Sequence, residues 1–192
     1  MKLLHVDSSI LGERSASRTV TAAIVARWQA AVPDVEVTRL DLAAETMPHL
    51  SGQSLAHDGT EAERDDRVLA DFLASDVIVI GAPMYNFTVP TQLKAWIDRI
   101  LVAGKTFRYT ESGPVGLAGT KRVIVAISRG GLYPQGATGE YAETYLRHVL
   151  AFIGITDVTF VRAEGLAISP QRRQIGLDAA LASIPSPRSL AA

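Results

Sequence analysis

The chain of 192 residues contains no cysteine. This absence excludes disulfides, thiolate catalysis, cysteine-ligated metal and thioether attachment of a cofactor. An excess of either charge is missing as well, because 19 lysines and arginines face 20 aspartates and glutamates, for a net charge of −1. Nucleic-acid binding usually requires a strongly basic face, so we expect no nucleic-acid partner.

Long apolar runs are also missing. The N-terminus passes from Met1 and Lys2 into a short apolar run that ends near Val6, which is too short for a signal peptide, and no stretch approaches the length of a membrane span. Apolar residues make up 47% and charged residues 20% of the chain, as in ordinary globular proteins. We therefore predict a cytoplasmic enzyme or binding protein with no membrane association.

Three common ligand motifs are absent. No G-x-x-x-x-G-K-[ST] run exists, because the glycines before Lys121 have the wrong spacing, and this argues against a nucleoside triphosphate site. No G-x-G-x-x-G opens the first predicted helix, which argues against a dinucleotide-type site. The four histidines follow no metal-ligand pattern such as H-E-x-x-H, so we predict no metal site. They are His5, His49, His57 and His148.

Apolar patterning predicts five strands that alternate with five helices. The strands are predicted at residues 2–6, 35–40, 77–82, 122–127 and 158–161. The helices are predicted from Ser15 or Ser17 to Val32, and at 61–74, 90–102, 140–153 and 170–184. Residues 41–60 show no periodicity and are predicted to form a long loop, whereas residues 105–119 are predicted to contain a short hairpin.

This alternation predicts the fold. A strict β-α order gives a parallel sheet with right-handed crossovers, and five strands favour the flavodoxin-like order 2-1-3-4-5, a doubly wound α/β sheet with helices on both faces. No repeat, linker or low-complexity block interrupts the chain, so residues 1–192 are predicted to form a single domain. The loops after the first, third and fourth strands would meet at one crevice, where such folds bind ligands.

The loop after the first strand, residues 7–17 (the first loop), carries hydroxyl groups at Ser9, Ser15 and Ser17. Its last residues begin a helix, whose unpaired N–H groups and dipole favour a phosphate. The alternative is an ordinary helix cap, because serine is a common residue at that position.

The loop after the third strand (the second loop) consists of Met84, Tyr85, Asn86 and Phe87. It offers a flat apolar wall and an amide side chain, which a tricyclic ring needs for contact on one face and for hydrogen bonds at its polar edge. The alternative is an ordinary turn with core aromatic residues.

The loop after the fourth strand (the third loop) consists of Ser128, Arg129, Gly130 and Gly131. Two glycines allow the backbone to approach a ligand closely and permit a positive φ, although a flexible turn is the alternative. Together the three loops offer a phosphate site, a ring wall and a close backbone approach. This set of features fits FMN.

Six segments, spread over nearly the whole chain, carry a family resemblance. They are Ser9 with Ser15-Ala16-Ser17, then Pro83-Met84-Tyr85-Asn86-Phe87, Thr91-Gln92-Leu93-Lys94, Thr106-Phe107-Arg108-Tyr109-Thr110, Ser128-Arg129-Gly130-Gly131 and Gly154-Ile155-Thr156-Asp157. The sequence resembles the FMN-dependent NADH azoreductase family, also described as NADH:quinone oxidoreductases. The resemblance implies non-covalent FMN binding by the three loops. Ala16 stands where relatives often have a polar side chain, so only its backbone amide can help.

The resemblance further implies a homodimer with active sites at the subunit interface. It also puts Phe87 and Tyr109 beside the substrate. For Tyr109, the alternative is an exposed tyrosine of the hairpin without a role in the site. NADH or NADPH would be the electron donor, and a quinone or azo compound the acceptor, in a ping-pong reaction. Because FMN carries the chemistry, no catalytic side chain is predicted. Two alternatives are a flavodoxin-type electron carrier, which the net charge of −1 disfavours, and a non-catalytic flavin-binding module.

Overall fold

A computed structural model describes residues 1–56, 62–134 and 138–187 of the chain. Its strands are β1 (Lys2–Asp7), β2 (Glu36–Asp41), β3 (Val77–Pro83), β4 (Phe107–Thr110), β5 (Gly113–Gly116), β6 (Arg122–Ser128) and β7 (Asp157–Ala163). Its helices are α1 (Ala16–Ala31), α2 (Gly52–Ala56), α3 (Ala62–Ala74), α4 (Thr91–Ile100), α5 (Ala142–Phe152) and α6 (Pro170–Ala182), and a 3-10 turn spans Gly12–Arg14. None of the described helices has both the length and the apolar character needed to cross a membrane.

Five strands form one parallel sheet in the order β2-β1-β3-β6-β7. This confirms the predicted order 2-1-3-4-5, because β4 and β5 form a separate antiparallel hairpin and are not part of this sheet. Asp7 of β1 lies opposite Gly81 of β3, and Gly81 lies opposite Ala126 of β6. The three strands therefore end at the same edge of the sheet, and the three loops begin side by side.

Buried apolar side chains form two separate clusters. Leu3 and Val79 belong to one cluster together with Trp28 of α1, whereas Leu4 and Ile80 belong to the other. Successive side chains of a strand point to opposite faces of the sheet, which explains this division. The second cluster also contains Trp96 of α4, and both tryptophans are only 1% exposed. All seven residues of β3 are buried, as expected for a strand that is covered on both faces.

The boundaries of most elements lie within two residues of their predicted positions. The helix α2 is the exception, because it falls within the stretch that was predicted to be a loop. Five residues are too few to show a helical period, so nothing in the pattern could reveal this helix. Residues 57–61 lie outside the described residues, and the helix start predicted at Glu61 lies there. The predicted hairpin is confirmed, with Tyr109 of β4 opposite Pro114 of β5.

Candidate functional site

The first turn of α1 combines a cap with unpaired backbone groups. Ser15 occupies the cap position, where its Oγ accepts a hydrogen bond from the Arg18 N–H at 3.3 Å. Its Oγ also lies 3.0 Å from Oγ of Ser17, and both side chains are buried. The N–H groups of Ala16 and Ser17 have no hydrogen-bond partner among the described residues. The capping role of serine is therefore present, and two donors remain for an anion.

The first and second loops touch directly. Oγ of Ser9 lies 3.1 Å from the hydroxyl oxygen of Tyr85, and the same Tyr85 oxygen accepts a hydrogen bond from the Ile10 N–H at 3.3 Å. Ser8 reaches the strand before the second loop, since its Oγ donates to the carbonyl oxygen of Gly81 at 2.6 Å. The crevice expected from the strand order is thus held together by side-chain bonds as well.

The second loop carries an unusual backbone. Asn86 has a φ of 48° and Phe87 a φ of 73°, which is uncommon for residues other than glycine and more so for an aromatic one. Tyr85 and Thr88 close the turn with two backbone hydrogen bonds of 2.9 and 3.1 Å. Positive φ at both central positions is the feature of a type I′ turn. The turn leaves both Asn86 and Phe87 exposed, and such conformations cluster at binding sites.

The third loop meets the second, because the Met84 N–H donates to the carbonyl oxygen of Ser128 at 2.8 Å. Neither Gly130 nor Gly131 uses the positive φ that glycine permits. The reason is a series of backbone hydrogen bonds to the segment after β7, including one of 3.0 Å from the Ala167 N–H to the carbonyl oxygen of Gly130. A Cβ on Gly130 would lie 3.1 Å from Cβ of Ala167, so close packing within the protein already favours glycine.

The side chain of Arg129 forms ion pairs within the protein. It is only 3% exposed, and its two terminal nitrogens lie 2.8 to 2.9 Å from three carboxylates. These belong to Glu140, Glu143 and Glu164. The backbone N–H and carbonyl oxygen of Arg129 are also bonded, to Ala163 and Leu166, whereas its buried Nε has no hydrogen-bond partner among the described residues.

Glu143 is the centre of this charge cluster. Burial by itself would raise its pKa, but hydrogen bonds from Arg162 and Arg147 outweigh burial and lower the pKa to about 2. Glu143 is therefore an anion across the physiological pH range, and it contributes to the structure around α5 and β7.

Tyr109 stands apart from the three loops. It lies on the hairpin strand β4, its side chain is 74% exposed, and its ring packs at a right angle against Phe107 with a centroid distance of 5.5 Å. No hydrogen bond or ring contact joins Tyr109 to the three loops within the described residues. A single chain therefore brings together the predicted FMN-binding loops but not this predicted substrate residue.

A cluster of charged side chains behind the first loop was not predicted from the sequence. Asp7 is 1% exposed, accepts a hydrogen bond from the Thr21 hydroxyl at 2.9 Å, and lies 3.3 Å from Nε2 of His5. Burial raises the pKa of Asp7, yet His5, Thr21 and Arg18 together hold it below its usual value. His5 is itself buried, at 6% exposure.

A signal for this cluster existed in the sequence. Asp7 and Asp41 end adjacent parallel strands and lie opposite each other in the register, and Arg18 follows in the first turn of α1. Two neighbouring carboxylates with one nearby guanidinium could have been recognised, had β2 been extended to Asp41. A cavity of about 610 Å³ opens here, with Asp7, Ser15, Arg18 and Asp41 in its wall.

Large apolar side chains remain exposed near the same edge of the sheet. They are Ile10, Leu11, Phe87, Leu132 and Tyr141. A cavity of about 960 Å³ adjoins the third loop and includes Arg129 and Tyr141 in its wall. Exposed apolar groups around a polar crevice are typical of a binding site.

Residues 1–186 of the chain match the family described as flavodoxin-like fold. A protein of Stenotrophomonas maltophilia is 54% identical over 187 residues, which are 97% of this chain and 95% of that protein. A protein of Methylorubrum populi is 57% identical over 194 residues, with 94% and 96% covered. Both are named FMN-dependent NADH:quinone oxidoreductase. The chain therefore belongs to the flavodoxin-like family of FMN-dependent NADH:quinone oxidoreductases.

Solved structures agree with this assignment. An azoreductase from Bacillus anthracis has a TM-score of 0.85 and 32% identity, with 96% of both chains covered. An FMN-dependent NADH-azoreductase from Bacillus anthracis, in complex with FMN, has a TM-score of 0.84 and 26% identity, with 95% of this chain and 97% of that chain covered. The family resemblance expected from the sequence motifs is confirmed.

Proposed function

We propose that this protein is an FMN-dependent oxidoreductase that transfers two electrons from NADH or NADPH to quinones and aromatic azo compounds. The proposal rests on the hydrogen bonds that join the three loops at one edge of the sheet. Ser9 and Tyr85 connect the first loop to the second, and Met84 and Ser128 connect the second loop to the third. The names of the relatives support FMN, NADH and quinone, and NADPH is our extension.

The residues present fit the two ends of FMN. The phosphate would be held by the unpaired N–H groups of Ala16 and Ser17 and by the hydroxyl groups of Ser9, Ser15 and Ser17, at a helix N-terminus that needs no lysine.

The ring would lie against Met84, Tyr85 and Phe87, with the exposed amide of Asn86 at its polar edge. Ser128, Arg129, Gly130 and Gly131 would lie beside the ring, where the N–H groups of Gly130 and Gly131 have no hydrogen-bond partner among the described residues.

When bound, FMN supplies the redox chemistry, since it accepts hydride from a nicotinamide and delivers two electrons to the acceptor, so that no side-chain nucleophile is required. The balance is one NADH, one proton and one quinone to one NAD⁺ and one hydroquinone. Cleavage of an azo bond to two amines consumes two NADH and two protons. Asn86 would hold the polar edge of the ring, and Phe87 would shape the substrate slot.

We further propose that the protein is a homodimer with its sites at the subunit interface. This arrangement would account for Tyr109, which is highly exposed and makes no hydrogen bond or ring contact with the three loops within the described part of its own chain. A single domain over residues 1–192 and a cytoplasmic location remain predictions. The two apolar clusters on alternate strand residues support the doubly wound arrangement.

The first experiment identifies the cofactor. Heat or acid precipitation of the yellow protein should release the pigment into the supernatant as FMN and not as FAD, because the chain has no cysteine for a covalent bond. Pigment that stays in the pellet, or a colourless protein that ignores added FMN, would contradict the proposal.

The second experiment tests the reaction. Anaerobic titration with NADH should bleach the flavin absorbance at one equivalent, and later addition of a quinone should restore it. A flavin that NADH cannot bleach would favour an electron carrier of the flavodoxin type. A protein that binds FMN but reduces no acceptor would favour a non-catalytic flavin-binding module.

A further inference from the structure

Arg18 occupies a position where a basic residue is unexpected. It is the third residue of α1, and a positive charge in the first turn opposes the helix dipole. Its side chain is nevertheless only 15% exposed, since it folds back towards β1. There its Nε and Nη2 donate to the carbonyl oxygen of Ser9 at 3.2 and 2.8 Å.

Asp41 fixes the orientation of the Arg18 guanidinium group. Its two carboxylate oxygens accept hydrogen bonds from Nη1 and Nη2 of Arg18 at 2.7 and 2.6 Å, which is the forked geometry that arginine makes with a carboxylate. The N–H of Ala43 donates to the same carboxylate at 3.1 Å and so fixes Asp41 itself. Asp7 adds a second negative charge, 3.6 Å from Nη1 of Arg18. The two carboxylates thus compensate the positive charge of Arg18. Any effect of Arg18 on a ligand must therefore come from the geometry of its hydrogen bonds.

Ser9 is the residue that this arrangement positions. Its main chain is held by Arg18, while its Oγ faces the Tyr85 hydroxyl and accepts the Leu11 N–H at 3.3 Å. Ser17 precedes Arg18 directly, so one side chain joins the two parts of the first loop that would surround a phosphate. The distance between those two parts depends on this contact.

We propose that Arg18, held by Asp41, is a positioning residue for the FMN phosphate, because it sets Ser9 against the first turn of α1. This inference rests on the proposed function. It assigns a geometric role to the guanidinium fork rather than a direct charge contact with the ligand. Lysine carries the same charge, but its single ammonium nitrogen lacks the planar fork with which arginine spans the Ser9 carbonyl and the Asp41 carboxylate.

The test compares FMN with riboflavin, which has the same ring and no phosphate, by fluorescence titration of the full-length protein freed of flavin. Arg18→Lys and Arg18→Ala should each weaken FMN binding by about tenfold or more and leave riboflavin binding unchanged. Thermal melting of each variant establishes that it is folded. Arg39→Ala is the matched control, because Arg39 lies 3.5 Å from the same Asp7 but makes no bond to Ser9, and it should change neither affinity.

Four results would overturn the inference. Full FMN affinity in Arg18→Lys would show that charge alone suffices, and equal losses for FMN and riboflavin would indicate a general structural role. If Arg18→Ala fails to fold, the milder Arg18→Lys decides the question. A wild-type protein that binds riboflavin as tightly as FMN would have no phosphate site at this loop. A wild-type protein that binds neither flavin would contradict the proposed function itself.

Discussion

The hydroxyl oxygen of Tyr85 lies 3.1 Å from Oγ of Ser9, although the two residues are 76 positions apart in the sequence. The same oxygen accepts the Ile10 N–H at 3.3 Å. Tyr85 therefore joins the loop that would hold the phosphate to the loop that would hold the ring. The residue predicted as part of a ring wall also has this second role, which depends on its hydroxyl group alone.

Tyr85→Phe should separate these two roles. The ring remains and the hydroxyl is lost, so we expect FMN affinity to fall by about fivefold, the value of one modest hydrogen bond, with little change in melting temperature. Flavin fluorescence titration measures the effect. Tyr145→Phe is the matched control, because the Tyr145 hydroxyl has no hydrogen-bond partner among the described residues. Equal affinity of Tyr85→Phe and wild type would show that the link is unimportant.

Substitutions at Ser15 should separate capping from phosphate binding. Ser15→Ala removes the cap of α1 and should cost about 1 kcal/mol of folding free energy, with only a small loss of FMN affinity. Ser15→Asp retains a good capping residue but places a like charge beside the phosphate, so FMN binding should fall on the order of a hundredfold or more. Thermal melting and FMN titration of both variants test this. Similar FMN affinities for the two variants would place the phosphate elsewhere.

Gly130 requires a paired experiment, because its neighbour Ala167 already restricts the space. Gly130→Ala should lower both stability and FMN affinity, and addition of Ala167→Gly should restore the stability by removing the 3.1 Å contact. If the backbone also approaches the ring, FMN affinity should stay reduced in the double variant. Recovery of both properties would mean that Gly130 serves only packing within the protein.

The order of substrate binding follows from the proposed ring wall. If Met84, Tyr85 and Phe87 cover one side of the ring, one open side must serve the nicotinamide and the acceptor in turn. Double-reciprocal plots at several fixed quinone concentrations should then give parallel lines, as in ping-pong kinetics. NAD⁺ should inhibit competitively against the quinone. Clearly intersecting lines would indicate a ternary complex and would contradict a shared position.

Stability at acid pH should depend on Glu143. Its pKa is lowered from 4.5 to about 2 in the folded protein, so its contribution is complete above pH 4.5 and is lost as the pH falls towards 2. Glu143→Gln should therefore lower the melting temperature at pH 7 and flatten its decline between pH 5 and pH 2, roughly the range between the two pKa values. Glu111→Gln, at an exposed position in the hairpin turn, is the control. Parallel curves for wild type and Glu143→Gln would contradict this role.

The sheet could be predicted because each strand is marked by a pattern of neighbouring apolar residues. The run from Val77 to Ala82 is apolar at every position, which is typical of a strand buried on both faces. The alternation of strands and helices predicts that such strands form a parallel sheet. The helix α2 could not be predicted, since it shows no period and its existence depends on tertiary contacts. Positive φ angles occur at Asn86 and Phe87 of the second loop and not at the glycines of the third loop, which is hydrogen-bonded to the segment after β7.

The sequence by itself determined the order of the elements, the two apolar faces of the sheet and the three loops at its edge, because each is a pattern of neighbouring residues. Only the tertiary structure decided which side chains connect those loops. The pairs of Ser9 with Tyr85 and of Arg18 with Asp41 join residues from different elements, and such contacts depend on the register of the sheet and on the position of α1. Hydrogen bonds act over about 3 Å, and no local pattern specifies a distance of that kind between remote parts of a chain.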